Sequence, residues 1–289
     1  MSTSFSLSAC FPLLSVNVID FLWAKMQEPK IYGLFHVISL ILTLLLCVFV
    51  VIIRKKITKK ALTRILLTVW IIVVVFELLK QINFSYSPDT DEWKYLWYAF
   101  PFQLCSSMIY VLPFAIFIKS ERVRSFAYSF LMSYNLLAGL FVMFYPATVF
   151  VEYTVINLQT MLHHGLMVVV AVLLYSVRAV KINYRLLFRA AAVFCLLLLV
   201  AVILNSVFIE KENFNMFFID SESSTHEFLS SLFVLVPQPV YTFLYAVVLS
   251  VGAAIITLIT SLILHFAEKK KGKAPSSSIL RGYFKDFIS

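Results

Sequence analysis

The chain has 289 residues, of which 61% are hydrophobic and 13% charged, with a mean hydropathy of +0.92 and a formal net charge of +9. A soluble domain is about 45–50% apolar and about 25% charged, so these ratios exclude a water-soluble enzyme, a disordered chain and a small secreted disulfide scaffold. The positive balance is then a matter of membrane topology before it is one of nucleic-acid binding.

Residues 1–30 are expected to form an outer N-terminal segment. The first 20 carry no Lys or Arg ahead of their apolar part, which argues against a cleaved secretory signal. A helix needs about 20 apolar residues to cross a hydrocarbon core of about 30 Å. Seven runs of that kind are predicted, at 31–53, 61–83, 97–118, 126–145, 158–180, 186–209 and 240–266. The fold class is therefore an all-α membrane protein, a bundle of about seven transmembrane helices occupying 31–266.

The connections alternate in charge. Arg54, Lys55, Lys56, Lys59 and Lys60 follow the first span; Lys119, Arg122 and Arg124 follow the third; Arg178, Lys181 and Arg185 follow the fifth. A basic tail at 267–289 completes one side, which holds most of the 24 Lys and Arg residues. The positive-inside rule puts the N-terminus outside and the C-terminus inside. That partition accounts for the charge with no nucleic-acid partner; membrane lipids are the expected surroundings, and in a bacterium the plasma membrane.

The opposite connections are acidic, with Asp89, Asp91 and Glu92 in one and Glu210, Glu212, Asp220, Glu222 and Glu227 in the long connection at 210–239. That connection also holds two apolar pieces, Asn213-Phe214-Asn215-Met216-Phe217-Phe218 and the run 231–237. Two placements stand open for them: anchoring in the membrane interface, or folding over the mouth of the bundle.

Cys10, Cys47, Cys105 and Cys195 form no CxxC pair and no disulfide framework. Six glycines, none in a phosphate-cradling pattern, give no nucleotide site, and HExxH and GxSxG are absent. What remains is the set of polar residues inside the spans, which are costly in lipid and so informative one by one. At about 1.5 Å per helical residue, His36, Glu77, Gln103, Cys105, His163, His164 and Asn205 all fall roughly 6–12 Å below the outer ends of their helices. Such a layer must face the bundle interior or a cavity rather than lipid.

Each residue has a bland reading beside the functional one. Glu77 shares a face with Lys80 and Gln81, at i+3 and i+4, and is either a functional acid or a structural partner of Lys80. His164 is a general base or an interhelical hydrogen-bonding group; His163 points about 100° away from it. Cys105 is a nucleophile only in a setting that lowers its pKa, and otherwise a small packed side chain. His36 carries the same caution, while Asn205 and Asn135 suit hydrogen bonds across helices.

At these residues the chain resembles the YwaF-like integral membrane family, the broad group that includes transmembrane protein 164. The resemblance rests on Phe76-Glu77 with Lys80, on Pro101-Phe102-Gln103-Leu104-Cys105, and on Asn135 followed by Phe144-Tyr145-Pro146. His163-His164-Gly165 and the stretch from Asn213-Phe214 to Pro237-Gln238-Pro239-Val240-Tyr241 complete it. It implies a compact multi-helix membrane protein, and the animal members look like acyltransferases that move a fatty acyl chain between phospholipids through a cysteine. Their Pro-Cys-His-Leu pattern is here Pro101-Phe102-Gln103-Leu104, so that cysteine does not carry over. By the same resemblance His164 matches the family histidine, Glu77 the acidic position and Asn135 the span-four Asn.

The first expectation is a membrane-embedded enzyme that transfers or hydrolyses an acyl chain of a lipid, with His164 as base, Glu77 orienting it and Cys105 accepting the acyl group. Gln103 and Asn205 are candidate oxyanion donors, and Lys80, Asn135, His163 and His36 complete the substrate-binding set. No cofactor or metal is expected in this reading. One alternative is a zinc-dependent lipid hydrolase using the histidines and Glu77; another is a ligand-binding protein or transporter.

Overall fold

The structure, a computed structural model, describes residues 21–88, 90–219 and 236–269. Cys10, Asp89, His226, the run 231–235 and nearly all of the basic tail lie outside the described residues. Eight helices are described: α1 (Leu34–Ile53), α2 (Lys59–Ser85), α3 (Met108–Phe117), α4 (Glu121–Met132), α5 (Tyr134–Phe144), α6 (Thr154–Ser176), α7 (Tyr184–Val207) and α8 (Gln238–Lys269). Between α2 and α3 a short antiparallel hairpin pairs β1 (Tyr86–Ser87) with β2 (Glu92–Trp93). Taking α4 and α5 together, six helical segments are long and apolar enough to cross a membrane, and 105–117 is a shorter seventh. The chain is thus an all-α membrane bundle of about seven crossings.

The third crossing departs from the continuous helix expected at 97–118. Pro101 lacks an N–H and forces the residue before it out of the helical region; Phe100 accordingly has φ −52° and ψ 130°. Residues 97–99 make one 3-10 turn, and regular helix begins only after a second turn at Cys105–Ser107. The helical part is then roughly 20 Å long, short of the hydrocarbon core. Pro113, inside α3, cannot donate to the carbonyl of Ile109, and the Trp70 indole N–H of α2 supplies that bond instead at 2.9 Å.

The fourth crossing is broken without a proline. Ser133, at φ −122° and ψ −82°, separates α4 from α5. The hydroxyls of Ser129 and Ser133 each bond the carbonyl four residues back, at 2.7 and 2.8 Å, a pattern that bends helices. Just beyond the break, Tyr134 stacks between Phe130 and Phe194 and donates to Ser250 of α8.

Helix α6 is the axis of the bundle. It packs against α1, α2, α4 and α5 and is buried along most of its length, whereas α1 and α8 expose most of their apolar surface. Two glycines permit the close approaches. A Cβ on Gly139 would lie 2.9 Å from Met167 Cβ, and one on Gly165 would lie 2.6 Å from Thr43 Oγ1 of α1. Residues 21–33 dock on the acidic end of the bundle, where Lys25 bridges Tyr153 and the amide of Asn83 donates to Leu22 O.

Candidate functional site

The break in the third crossing decides where the polar side chains go. Non-helical backbone at membrane depth is tolerated only where neighbouring groups satisfy it, and most carbonyls of residues 96–105 have a partner. Ala99 O accepts from Gln81 Nε2 at 2.7 Å, Pro101 O from Tyr110 Oη at 2.9 Å, and Cys105 O is bonded to His163 Nε2 at 2.9 Å. Leu96 O, Trp97 O and Phe100 O are taken by backbone amides two or three residues on. Gln81 and His163, on two different helices, therefore hold the broken span in place.

Glu77 sits beside this segment on α2. Its Oε1 accepts from Lys80 Nζ and from Gln81 Nε2, both at 2.7 Å, and its Oε2 from Gln159 Nε2 of α6 at 3.4 Å. The Glu77 and Lys80 side chains are 7% and 16% exposed, so the carboxylate is neutralised inside the protein rather than by solvent. Gln81 Oε1 in turn accepts from Tyr95 Oη at 3.0 Å, tying the layer to the loop above. Burial, and then the Glu77 carboxylate, push the Tyr95 hydroxyl above its usual pKa. Glu77 and Lys80 meet as their spacing predicts. No described hydrogen bond joins Glu77 to a histidine, and Gln159 takes the place on α6 that the sequence reading gave to His164.

The two adjacent histidines are fixed in opposite tautomers. A carbonyl oxygen only accepts, so neutral His163 carries its proton on Nε2, facing Cys105 O. Neutral His164 carries its proton on Nδ1, bonded at 2.7 Å to Thr160 O one turn back. The remaining nitrogens, His163 Nδ1 and His164 Nε2, are buried lone pairs with no hydrogen-bond partner. The ring centroids are 5.3 Å apart. A base pinned at Nδ1–H and open at Nε2 is the arrangement a proton-abstracting imidazole requires.

Cys105 is partly buried and is the first residue of the helical part of the third crossing. Asn135 donates to Met167 O on α6 at 3.0 Å and leaves its own Oδ1 without a partner. His36 is fully buried with both ring nitrogens engaged: Nδ1 accepts from Tyr32 N at 2.9 Å, and Nε2 is bonded to Met143 O at 2.7 Å. It fastens α1 to the end of α5 and presents no lone pair to the layer. Among the described residues no three His, Cys, Asp or Glu side chains form a group that could hold a metal ion.

Gln103 and Asn205 bind the long connection. Gln103 Nε2 donates to Asn215 O at 2.8 Å; Asn205 Nδ2 donates to Met216 O at 3.1 Å while its Oδ1 accepts from Met216 N at 2.7 Å. The first apolar piece of 210–239 thus folds into the bundle mouth. Phe214, Asn215, Met216, Phe217 and Ile219 are all buried, with Phe217 against Phe102 and Phe194 and Phe214 against Trp97 and Phe100. The plug is strained: Asn213, Phe217 and Phe218 have φ of 56°, 61° and 54°, a region bulky residues rarely occupy and that costs on the order of 1–3 kcal/mol each. Two surface recesses lie elsewhere, one lined by Lys30, Ala147 and Phe150 and one along α8 at Ser250.

Gln81, Gln159 and the loop groups Tyr95 and Asn215 are the partners the sequence reading left off its site. Gln81 was legible through its i+4 spacing from Glu77, but nothing in the sequence marks which backbone carbonyls need a donor.

A helical bundle of about seven crossings, two of them broken, around a buried polar layer defines a multi-pass integral membrane protein. The chain belongs to the TMEM164 family, whose family model matches residues 31–257. No curated protein and no solved structure matches it.

Proposed function

We propose that this protein transfers an acyl chain between membrane lipids at the layer formed by Cys105, His163, His164 and Glu77. The observation that carries this reading is the pinned His164 imidazole, whose Nε2 lone pair is buried and unpartnered. In the reaction, His164 Nε2 takes the Cys105 thiol proton as sulfur attacks the ester carbonyl carbon of a donor lipid. The ester C–O bond breaks, the departing lysolipid oxygen takes the proton from His164, and a thioester remains on Cys105. The hydroxyl of an acceptor then attacks the thioester carbon, giving its proton to His164 and so back to the sulfur. Water in place of the acceptor makes the same chemistry a hydrolysis. The Glu77–Lys80 pair supplies a fixed local field, and Gln81 and His163 hold the nucleophile's backbone.

An activated acyl ester carrying a long alkyne-tagged chain tests the covalent step. The expected result is a single acyl adduct on Cys105 by mass spectrometry, lost in His164→Ala; acyl transfer by protein that never carries an adduct on Cys105 would overturn the thioester route. The two broken crossings favour a second reading, since discontinuous helices also build transport sites. Uptake of lipid into protein-containing vesicles without change in its acyl groups would support that reading instead.

A further inference from the structure

We infer that the side-chain amides of Gln103 and Asn205 form a receptor for the paired ester carbonyls of a diacyl glycerolipid, and that the plug at 213–219 fills it as a stand-in for that lipid. The inference rests on the acyl-transfer reading and names its substrate class and its gate. Two amide donors from different spans meet two consecutive carbonyl oxygens of one short segment, Asn215 O at 2.8 Å and Met216 O at 3.1 Å. An ester carbonyl accepts a hydrogen bond in the same geometry as a peptide carbonyl, though more weakly, and a glycerolipid carries two esters on neighbouring carbons. On either side of the polar pair the plug inserts Phe214 and Phe217 among aromatic rings of the bundle, which is where the first methylenes of two acyl chains would lie. Gln103 lies two residues before Cys105 in the chain.

The plug is built to leave. Its three left-handed residues store strain, and its far end is tied to α8 by Tyr241 Oη to Phe218 O at 3.3 Å and by Gln238 Nε2 to Ile219 O. Opening gives up the Met216 N–H bond to Asn205 Oδ1, which an ester cannot replace; the plugged form is therefore the resting one.

The test uses the full chain in detergent micelles with Cys10→Ser, Cys47→Ser and Cys195→Ser, leaving Cys105 as the sole thiol for a water-soluble maleimide. Loosening the plug from α8 with Gln238→Ala and Tyr241→Phe, which leaves both receptor amides in place, should raise the labelling rate about tenfold as two hydrogen bonds are lost. Added dioleoylphosphatidylcholine should return the rate toward that of the closed protein, and its diether analogue should not. Labelling of the loosened variant at the parental rate, or equal protection by diester and diether, overturns the inference. If that variant fails to fold, Asn205→Ala takes its place, expected to label faster and to lose ester-selective protection; parental labelling or retained selectivity overturns the inference there too. Every labelled protein also carries His164→Ala, in which no thioester forms on Cys105, so protection reports binding rather than acylation and failure of the acyl-transfer reading leaves the readout unchanged. Failure of the plug leaves His164-dependent turnover intact.

Discussion

Replacing Glu77 with Ala removes the acceptor for Lys80 Nζ and Gln81 Nε2 at 2.7 Å and for Gln159 Nε2 at 3.4 Å. Gln81 keeps Ala99 O, but the Lys80 ammonium, on a side chain only 16% exposed, keeps no counter-charge among the described residues. Breaking a buried ion pair from one side costs about 3–5 kcal/mol. At about 2 °C per kcal/mol for a chain of this size, that is a fall of roughly 6–10 °C in the unfolding midpoint. Removing both charges, as Glu77→Met with Lys80→Met, leaves no buried ion and should recover most of the loss. Tryptophan-fluorescence melts of the three proteins in one detergent decide the matter. A Glu77→Ala midpoint indistinguishable from the parent's, or a double variant no more stable than the single one, would refute the claim that Glu77 is held as a buried, internally compensated carboxylate.

Gly165→Ala should destabilise by about 1–3 kcal/mol through its collision with Thr43 Oγ1, and Thr43→Ala should restore the midpoint, since only the hydroxyl oxygen lies under 3 Å; thermal melts of both check this, and no rescue would mean that α1 is not fastened there. In the hairpin between α2 and α3 the hydrogen bond to Asp91, with burial adding to it, raises the Tyr86 hydroxyl above its usual pKa. Because the folded value lies above the unfolded one, this bond's stabilisation is complete below about pH 10 and is lost as pH rises through the raised value. Difference absorbance against Tyr86→Phe should show the tyrosinate forming above that pH, and Asp91→Asn should bring the midpoint down.

The sequence showed the crossings because each needs a long apolar run. It did not show that the third span is helical only from Cys105, because that depends on Gln81, Tyr110 and His163 arriving from elsewhere in the fold to satisfy the freed carbonyls. The break at Ser133 had no proline to announce it. The meeting of Glu77 with Lys80 was legible because it is local, at i+3. The choice of Gln159 over His164 as the α6 partner depends on the rotation of α6 about its axis, which Gly139 and Gly165 fix through contacts across helices. The apolar piece at 213–218 was visible as out of place in a polar connection. Only the positions of Gln103 and Asn205 in space decide that it turns into the bundle rather than along the membrane surface.

The most direct test of the acyl-transfer reading places the purified protein in vesicles with a phospholipid carrying an isotopically labelled acyl chain and a lysophospholipid acceptor, and follows the label by mass spectrometry. The parent should move the label to the acceptor, and His164→Ala should do so more slowly by about two orders of magnitude or more, with its unfolding midpoint near the parent's. Label that stays on the donor with the folded parent, or transfer that is undiminished in folded His164→Ala, would contradict it.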